Sequence, residues 1–338
     1  MNRSFRIFLF YVLPLPMVIF SLFVGSSNQA GFGEYIQLFY QNYFGNGLNA
    51  EQQQSYEIAN NIILNIRLPR VLLTFIIGAA LSVSGAVLQG ILRNPLVDSY
   101  ILGISSASAF GAALAIITAL LPINIMAFLF GLVSVLITFG ISKSRQGEHN
   151  IVSVVLSGMI VSGIFTALLS IAQYISNPYK VMAIVQWTLG NLHSATWQEV
   201  EQSYPYILIC LIIVFVLRWR LNLLALGDDA AKAVGVNPIL DKYILIVAAT
   251  LMTATSVAAA GIISMYGLFL PHIVRMISGA DHKKVIPGSL FFGGTFLLVI
   301  DNFSRSLFEF EVPVGIFTML LGGLFFIYLM RKNKLNWN

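Results

Sequence analysis

The sequence predicts an all-α, polytopic membrane bundle of about ten helices, on three observations: an extreme apolar composition, recurrent uncharged stretches of spanning length, and no alternating strands. Of 338 residues, 57% are hydrophobic and 10% charged, with a mean hydropathy of +0.83. Soluble domains carry about 25% charged residues, and no aqueous core could bury the excess apolar surface. Stretches such as Val71 to Leu92, Leu102 to Leu121 and Tyr243 to Ala260 carry no charge and approach the ~20 helical residues that cross hydrocarbon. Unpaired backbone is costly in lipid, so only helices or a closed barrel can span. The roughly 10-residue alternating strands of a barrel are missing.

The first segment, Met1 to Ala30, places Arg3 and Arg6 ahead of an apolar run from Ile7 to Val24. That run is long for a secretory signal and is interrupted by Pro14 and Pro16, so it reads as a retained first span. The spans then fall near 5–24, 69–91, 99–120, 123–142, 151–175, 204–220, 241–260, 264–278, 286–303 and 313–331. The longest polar interval, Gly25 to Ile66, contains Gln52, Gln53 and Gln54 and ends in a periodic stretch that reads as a short surface helix. Residues 1–338 form a single transmembrane domain with no soluble domain.

Charge orients the bundle. With the N-terminus inside, only Arg67, Arg70, Lys180 and Arg305 of the 19 basic residues fall outside, leaving 19 − 4 = 15 at the inner face. An even number of spans therefore satisfies the positive-inside rule, with both termini cytoplasmic. The net charge of +5 is a consequence of orientation, and nucleic acid is not needed as a partner. Small residues recur every fourth position at Gly78, Ser82, Ala86 and Gly90, at Gly103, Ala107, Gly111 and Ala115, and at Gly158, Ser162, Thr166 and Ser170. Such stripes let membrane helices approach closely; they read as packing or as the wall of a path.

Several chemistries are missing. Every Asp and Glu lies in a loop or near a span end, which gives no buried carboxylate relay. Neither a His-Glu-x-x-His zinc site nor a nucleophile elbow occurs, and Cys210 alone forms no disulfide or sulfur cluster. No metal or cofactor is expected in this chain, and it is not expected to be an enzyme. No lysine follows a glycine, so a phosphate-binding P-loop is excluded.

Between the sixth and seventh spans, residues 221–241 are punctuated rather than uniformly charged. Asp228 or Asp229 reads as the cap of a short helix over Ala230 to Val234, Gly235 as its C-terminal turn, and Asn237-Pro238 as the start of a second short helix at a sharp angle to the first. The segment fits an interfacial loop or a docking platform for a cytosolic partner.

Four groups of motifs give the chain a resemblance. Arg67-Leu-Pro-Arg70, Gly78 to Gly85, Gln89, Arg93-Asn-Pro-Leu96 and Leu102-Gly-Ile-Ser-Ser106 come first, followed by Trp187-Thr-Leu-Gly190. Leu226-Gly227 through Gly235 follows, then Pro271-His-Ile-Val-Arg275, Gly279-Ala-Asp-His282, Asp301, Arg305 and Glu311-Val-Pro-Val-Gly315. In combination they resemble the permease family of binding-protein-dependent, type II ABC importers for iron-siderophore chelates, haem and vitamin B12. It departs from the family pattern at Ser99 and Leu324, where proline is common.

The resemblance implies a fold like that of the vitamin B12 importer permease in a bacterial inner membrane. It also implies a second permease subunit, two cytosolic ATPase subunits that use ATP and Mg, and an extracytoplasmic binding protein. It implies docking of that protein on Arg67, Arg70 and Arg305, for which snorkelling at helix ends is the plainer alternative. Coupling to the ATPase falls on Gly227, Asp228, Asp229, Ala230, Ala233, Gly235, Val236 and Pro238. Candidate path residues are Gln89, Ser106, Ser108 and Gln173, whose sparse polarity could pass a bulky solute or merely pack. Pro271 and His272 read as structural. Iron chelate or haem is the expected cargo; cobalamin or a molybdate-type oxyanion, or an ATP-independent carrier or channel, are the alternatives.

Overall fold

The computed structural model describes residues 8–25, 31–45, 47–142, 151–308 and 310–332; the inner-face placements of Arg3, Arg6, Lys143, Arg145 and Lys334 lie outside them. Among the described residues every regular element is helical. The first span begins as a π turn over Phe8–Val12 and continues as α1, Pro14–Phe23, with proline at a helix start where its missing N–H is tolerated.

The polar interval ends in a short helix, as expected, but this helix, α3 (Ala50–Asn61), is paired in a hairpin with a second one, α2 (Phe32–Phe44). Asn49 opens α3 with a capping box, accepting from the Gln52 N–H at 2.8 Å while its own N–H donates to the Gln52 side chain at 3.1 Å. Tyr35 locks the hairpin by stacking on Tyr56 at 5.9 Å and donating its hydroxyl to Asn60 at 3.0 Å. A π turn over Ile62–Arg67 then joins α3 to α4, Leu68–Ile91, in one unbroken helical run of 42 residues.

The remaining spans follow in the expected order: α5 (Ile104–Thr118), α6 (Ile123–Ser142), α7 (Ile151–Tyr174), α9 (Trp197–Leu226), α11 (Pro238–Ala260), α12 (Tyr266–Ser278), α13 (His282–Ser306) and α14 (Val314–Lys332). Among the described residues seven helices are long and apolar enough to cross a membrane, while α1, α5 and α12 are shorter. The breaks have backbone causes: Gly103 with φ +81° precedes α5, and Met265 with φ +61° precedes α12. Two elements are short: α8 (Pro178–Thr188), which the sequence reading did not assign, and α10 (Asp228–Ala233). Asn177 caps α8, accepting from the Lys180 N–H at 2.9 Å.

Helix α4 is the axis. Its spanning window is 83% buried, against 22% in α14. It packs on α9, α11, α12 and α13. The first small-residue stripe makes this possible: a Cβ on Gly78 would stand 2.6 Å from the Gly293 carbonyl oxygen of α13. Within the second stripe, Gly111 lies equally close to the backbone of α6 at Met126. Both stripes are therefore packing surfaces. The third differs, because Thr166 and Ser170 of α7 are exposed and their hydroxyls donate back to the carbonyls of Ser162 and Thr166 at 2.8 and 3.0 Å. Its outer part faces away from the bundle. Interhelical hydrogen bonds add to the packing: Ser84 donates to the Ala249 carbonyl at 2.9 Å, and Thr138 to Leu102 at 3.1 Å. Each contributes about 0.6 kcal/mol in a membrane bundle.

Candidate functional site

At the end of the bundle where α4 and α14 begin, Arg67, Arg70 and Arg305 converge as the motifs placed them, but they do not form an open rim. They are only 5%, 7% and 3% exposed. Arg70 donates Nε and Nη2 to Asp301 Oδ1 at 3.1 and 2.9 Å, and Nη1 to both oxygens of Glu311 at 2.9 Å. Arg305 Nε lies 3.2 Å from Asp301 Oδ2, off the hydrogen-bonding angle, so that contact is a charge contact. Its remaining N–H groups donate to the carbonyls of Ser21 and Val24 at 3.0 Å each, and Arg67 donates to the Leu22 carbonyl at 3.1 Å.

The physical reason is plain. The last carbonyls of α1 lack helical partners and form the negative end of its dipole, so they accept from buried arginines. Two carboxylates offset the desolvation of three cations. Asp301 and Glu311 were read as span-end residues, and their position is right; what the sequence reading missed is that Asp301 is fully buried. The signal available was the i, i+4 spacing of Asp301 and Arg305.

At the opposite end, α10 hangs between Gly227 (φ +127°) and Gly235 (φ +79°), conformations that a side chain would strain. Asn237 caps α11 as predicted, accepting from the Leu240 N–H at 3.2 Å with Pro238 at the first position. Two expectations need correction. The second short helix is the opening turn of the 23-residue α11, and no Asp caps α10. Asp229 is fully exposed, whereas the Asp228 carboxylate is drawn sideways to Lys242 Nζ at 2.6 and 2.7 Å and Arg93 Nη2 at 2.7 Å.

Partial burial pushes the Asp228 carboxyl up, but the Lys242 hydrogen bond and charge, with Arg93, outweigh it and hold it below the usual range. Asp228 is thus ionised at neutral pH. Around it, Leu226, Val234, Ile239 and Leu240 are exposed apolar side chains, while Ala231 and Val236 are buried and anchor the loop. Replacing Gly235 by Ala is expected to destabilise the loop by about 1 kcal/mol, read as an earlier proteolytic cut near α10 in limited digestion. A Gly33→Ala control meets no neighbour within 4 Å and lies outside the left-handed region.

The path candidates separate. Gln89 is not a lining residue: it is 3% exposed, donates to the carbonyls of Val97, Gly267 and Leu268 at 3.1 to 3.2 Å, and accepts from Arg275. It staples α12 to the end of α4. Ser108 is fully buried against Gly131. Ser106 and Gln173 keep partial exposure. His272 meets the Phe325 ring edge-on at 5.8 Å, and among the described residues no group of His, Cys, Asp and Glu could hold a metal ion. A cleft of about 330 Å³ that the sequence reading missed lies between α8, the end of α11 and the start of α6, lined by Trp187, Gln186, Asn124 and Glu199.

Comparison with known families matches residues 12–332 to the FecCD transport family. The chain belongs to this family. As a FecCD permease, it is 38% identical over 280 residues to the molybdate import system permease protein MolB of Haemophilus influenzae, covering 82% of this chain and 83% of that one. It is 35% identical over 334 residues to a probable iron chelatin transport system permease protein of Helicobacter pylori, covering 99% of each. A solved inward-facing metal-chelate type ABC transporter superposes with a TM-score of 0.81 at 34% identity, covering 98% of this chain and 100% of that chain. This FecCD protein is therefore a membrane-spanning permease subunit of an ABC importer.

Proposed function

We propose that this permease imports an iron chelate across a bacterial inner membrane, with its termini in the cytoplasm. It would act as a pair of identical copies with two cytosolic ATPase subunits and an extracytoplasmic binding protein. The observation that carries the ATP-driven reading is the inner loop. It exposes four large apolar side chains on the protein surface beside a hinged helix, in a chain without a P-loop of its own. Large apolar side chains clustered in sequence and left exposed in this way fit a partner site. The exposed outer part of the α7 stripe and the thinly buried α14 supply faces for a second copy.

Near full-length similarity to a permease named for iron chelatin supports the cargo. Chemistry agrees, because the remaining path candidates Ser106 and Gln173 are neutral, whereas a small oxyanion is best held by cations. The similarity to a molybdate permease favours a second reading. Proteoliposomes containing this chain, its P-loop partner and its binding protein, with each omitted in turn, separate the two. Ferric-chelate uptake requiring all three supports the proposal. Molybdate uptake under the same dependence replaces the cargo, and uptake by this chain alone overturns the ATP-driven reading.

Docking of the binding protein is proposed at the arginine end. Glu311, 38% exposed at its side chain, is the member of the cluster that an incoming carboxylate would displace from Arg70. Glu311→Gln is expected to tighten association about 3-fold at low salt and less at high salt, as electrostatic docking is screened. Surface-plasmon titration against nanodisc-held complex measures it, and weaker or unchanged association rejects docking by displacement.

A further inference from the structure

We infer that Asp228 is a positioning residue whose ion pairs with Arg93 and Lys242 clamp the short helix α10 to the ends of α4 and α11, so that movement of α10 drives the central helix. This rests on the proposed coupling of α10 to an ATPase partner. It adds the route by which force leaves α10.

The geometry that points to the clamp is local. Nothing lies within 4 Å of a Cβ built on Gly227 or Gly235, and both have positive φ, so the connections on either side of α10 are open glycine hinges. A six-residue helix on two such hinges could swing without moving its neighbours. Only Ala231 of α10 is buried. Beside the buried Ala231 contact, what ties the helix to its neighbours is the Asp228 carboxylate, which takes Lys242 Nζ from the first turns of α11 at 2.6 Å and Arg93 Nη2 from beyond α4 at 2.7 Å.

Arg93 is itself fixed. It sits in the left-handed region, with φ +49°, an uncommon state for a residue with a side chain. Its Nε donates to the Leu224 carbonyl at 3.1 Å, at the end of α9. One guanidinium thus joins the ends of α4 and α9 to the start of α10. A second pair, Arg220 to Asp241 at 2.7 Å, ties α9 to α11. The frame around α10 is therefore braced, and Asp228 is the attachment of the moving piece to it. Half-exposed pairs add little to folding stability, so loss of the clamp would separate from loss of the fold. Helix α4 carries Arg70 at its far end and Gln89 near its inner end, which makes it the element able to report α10 movement across the membrane.

The test uses the reconstituted complex and a readout that does not depend on cargo: the factor by which the binding protein, added outside, stimulates ATP hydrolysis inside. Arg93→Gln and Lys242→Gln each lie outside α10 and are expected to lower that factor, and together to lower it about tenfold. Melting temperature and ATPase co-purification should remain those of the unaltered complex. Asp228→Asn should match the double variant, and Asp228→Glu should recover most of the factor. A nitroxide at Ala233→Cys should become more mobile in Arg93→Gln/Lys242→Gln.

Full stimulation in the double variant overturns the clamp. So does loss of ATPase co-purification in Asp228→Asn alone with Arg93→Gln and Lys242→Gln silent, since Asp228 would then touch the partner directly. An unaltered complex that neither binds nor is stimulated overturns the importer reading itself, and the clamp with it.

Discussion

Replacing Asp301 with Ala is expected to destabilise the permease by about 3–5 kcal/mol, the largest loss for any single polar substitution in it. Asp301 is completely buried and is the shared counter-ion of Arg70 and Arg305, at 2.9 and 3.2 Å. Removing it leaves two guanidiniums in a dry site with like charge facing like charge. Glu311 compensates Arg70 only in part, and at a solvent-facing position. The companion Glu311→Gln should therefore cost under about 1 kcal/mol, because Glu311 faces solvent and Asp301 still neutralises Arg70. Chemical unfolding in detergent micelles, following helicity, separates the two variants; equal losses would show that burial of Asp301 does not govern the cluster. Arg70→Glu would place a third carboxylate beside Asp301 and Glu311, so lost binding in that variant would report misfolding rather than docking.

The second large effect belongs to Gly85. A Cβ there would overlap the Gly267 carbonyl oxygen and stand 2.7 Å from the Gly267 Cα. The obstacle is backbone of α12, which cannot rotate aside as a side chain could. Gly85→Ala is expected to lose more than about 3 kcal/mol, beyond the usual range for overpacking, because α4 and α12 must separate to admit a methyl group. Gly163→Ala is the control: it is helical, spans the membrane and has nothing within 4 Å. Thermal inactivation of the two variants decides the matter. Similar melting points would mean that the α4–α12 contact is not rigid.

Much of the fold was legible because lipid leaves few options. An uncharged run of twenty residues in a chain this apolar must become a helix, so the spans and their order could be read directly, as could the Asn237-Pro238 start of α11 and the glycine turn at 235. The hairpin of α2 and α3 was less legible, since its aromatic contacts join Tyr35 to Tyr56 across a polar stretch. Helix α8 was missed for a similar reason: at 11 residues it is too short to span.

Burial of polar groups is where sequence reasoning ran out. Gln89 carries a motif-like polarity that reads as lining, yet four polar neighbours, three on α12 and one in the loop after α4, saturate its amide. Arg67, Arg70 and Arg305 read as outward cations, and only the arrival of Asp301, Glu311 and the end of α1 turns them inward. By itself the sequence determined the membrane class, the helical order and the residues that belong together at each end, because these follow from hydropathy, charge bias and local capping. The tertiary structure decided which of those residues face water and which face one another, because burial depends on contacts between segments as far apart as Arg70 and Asp301, which no local pattern encodes.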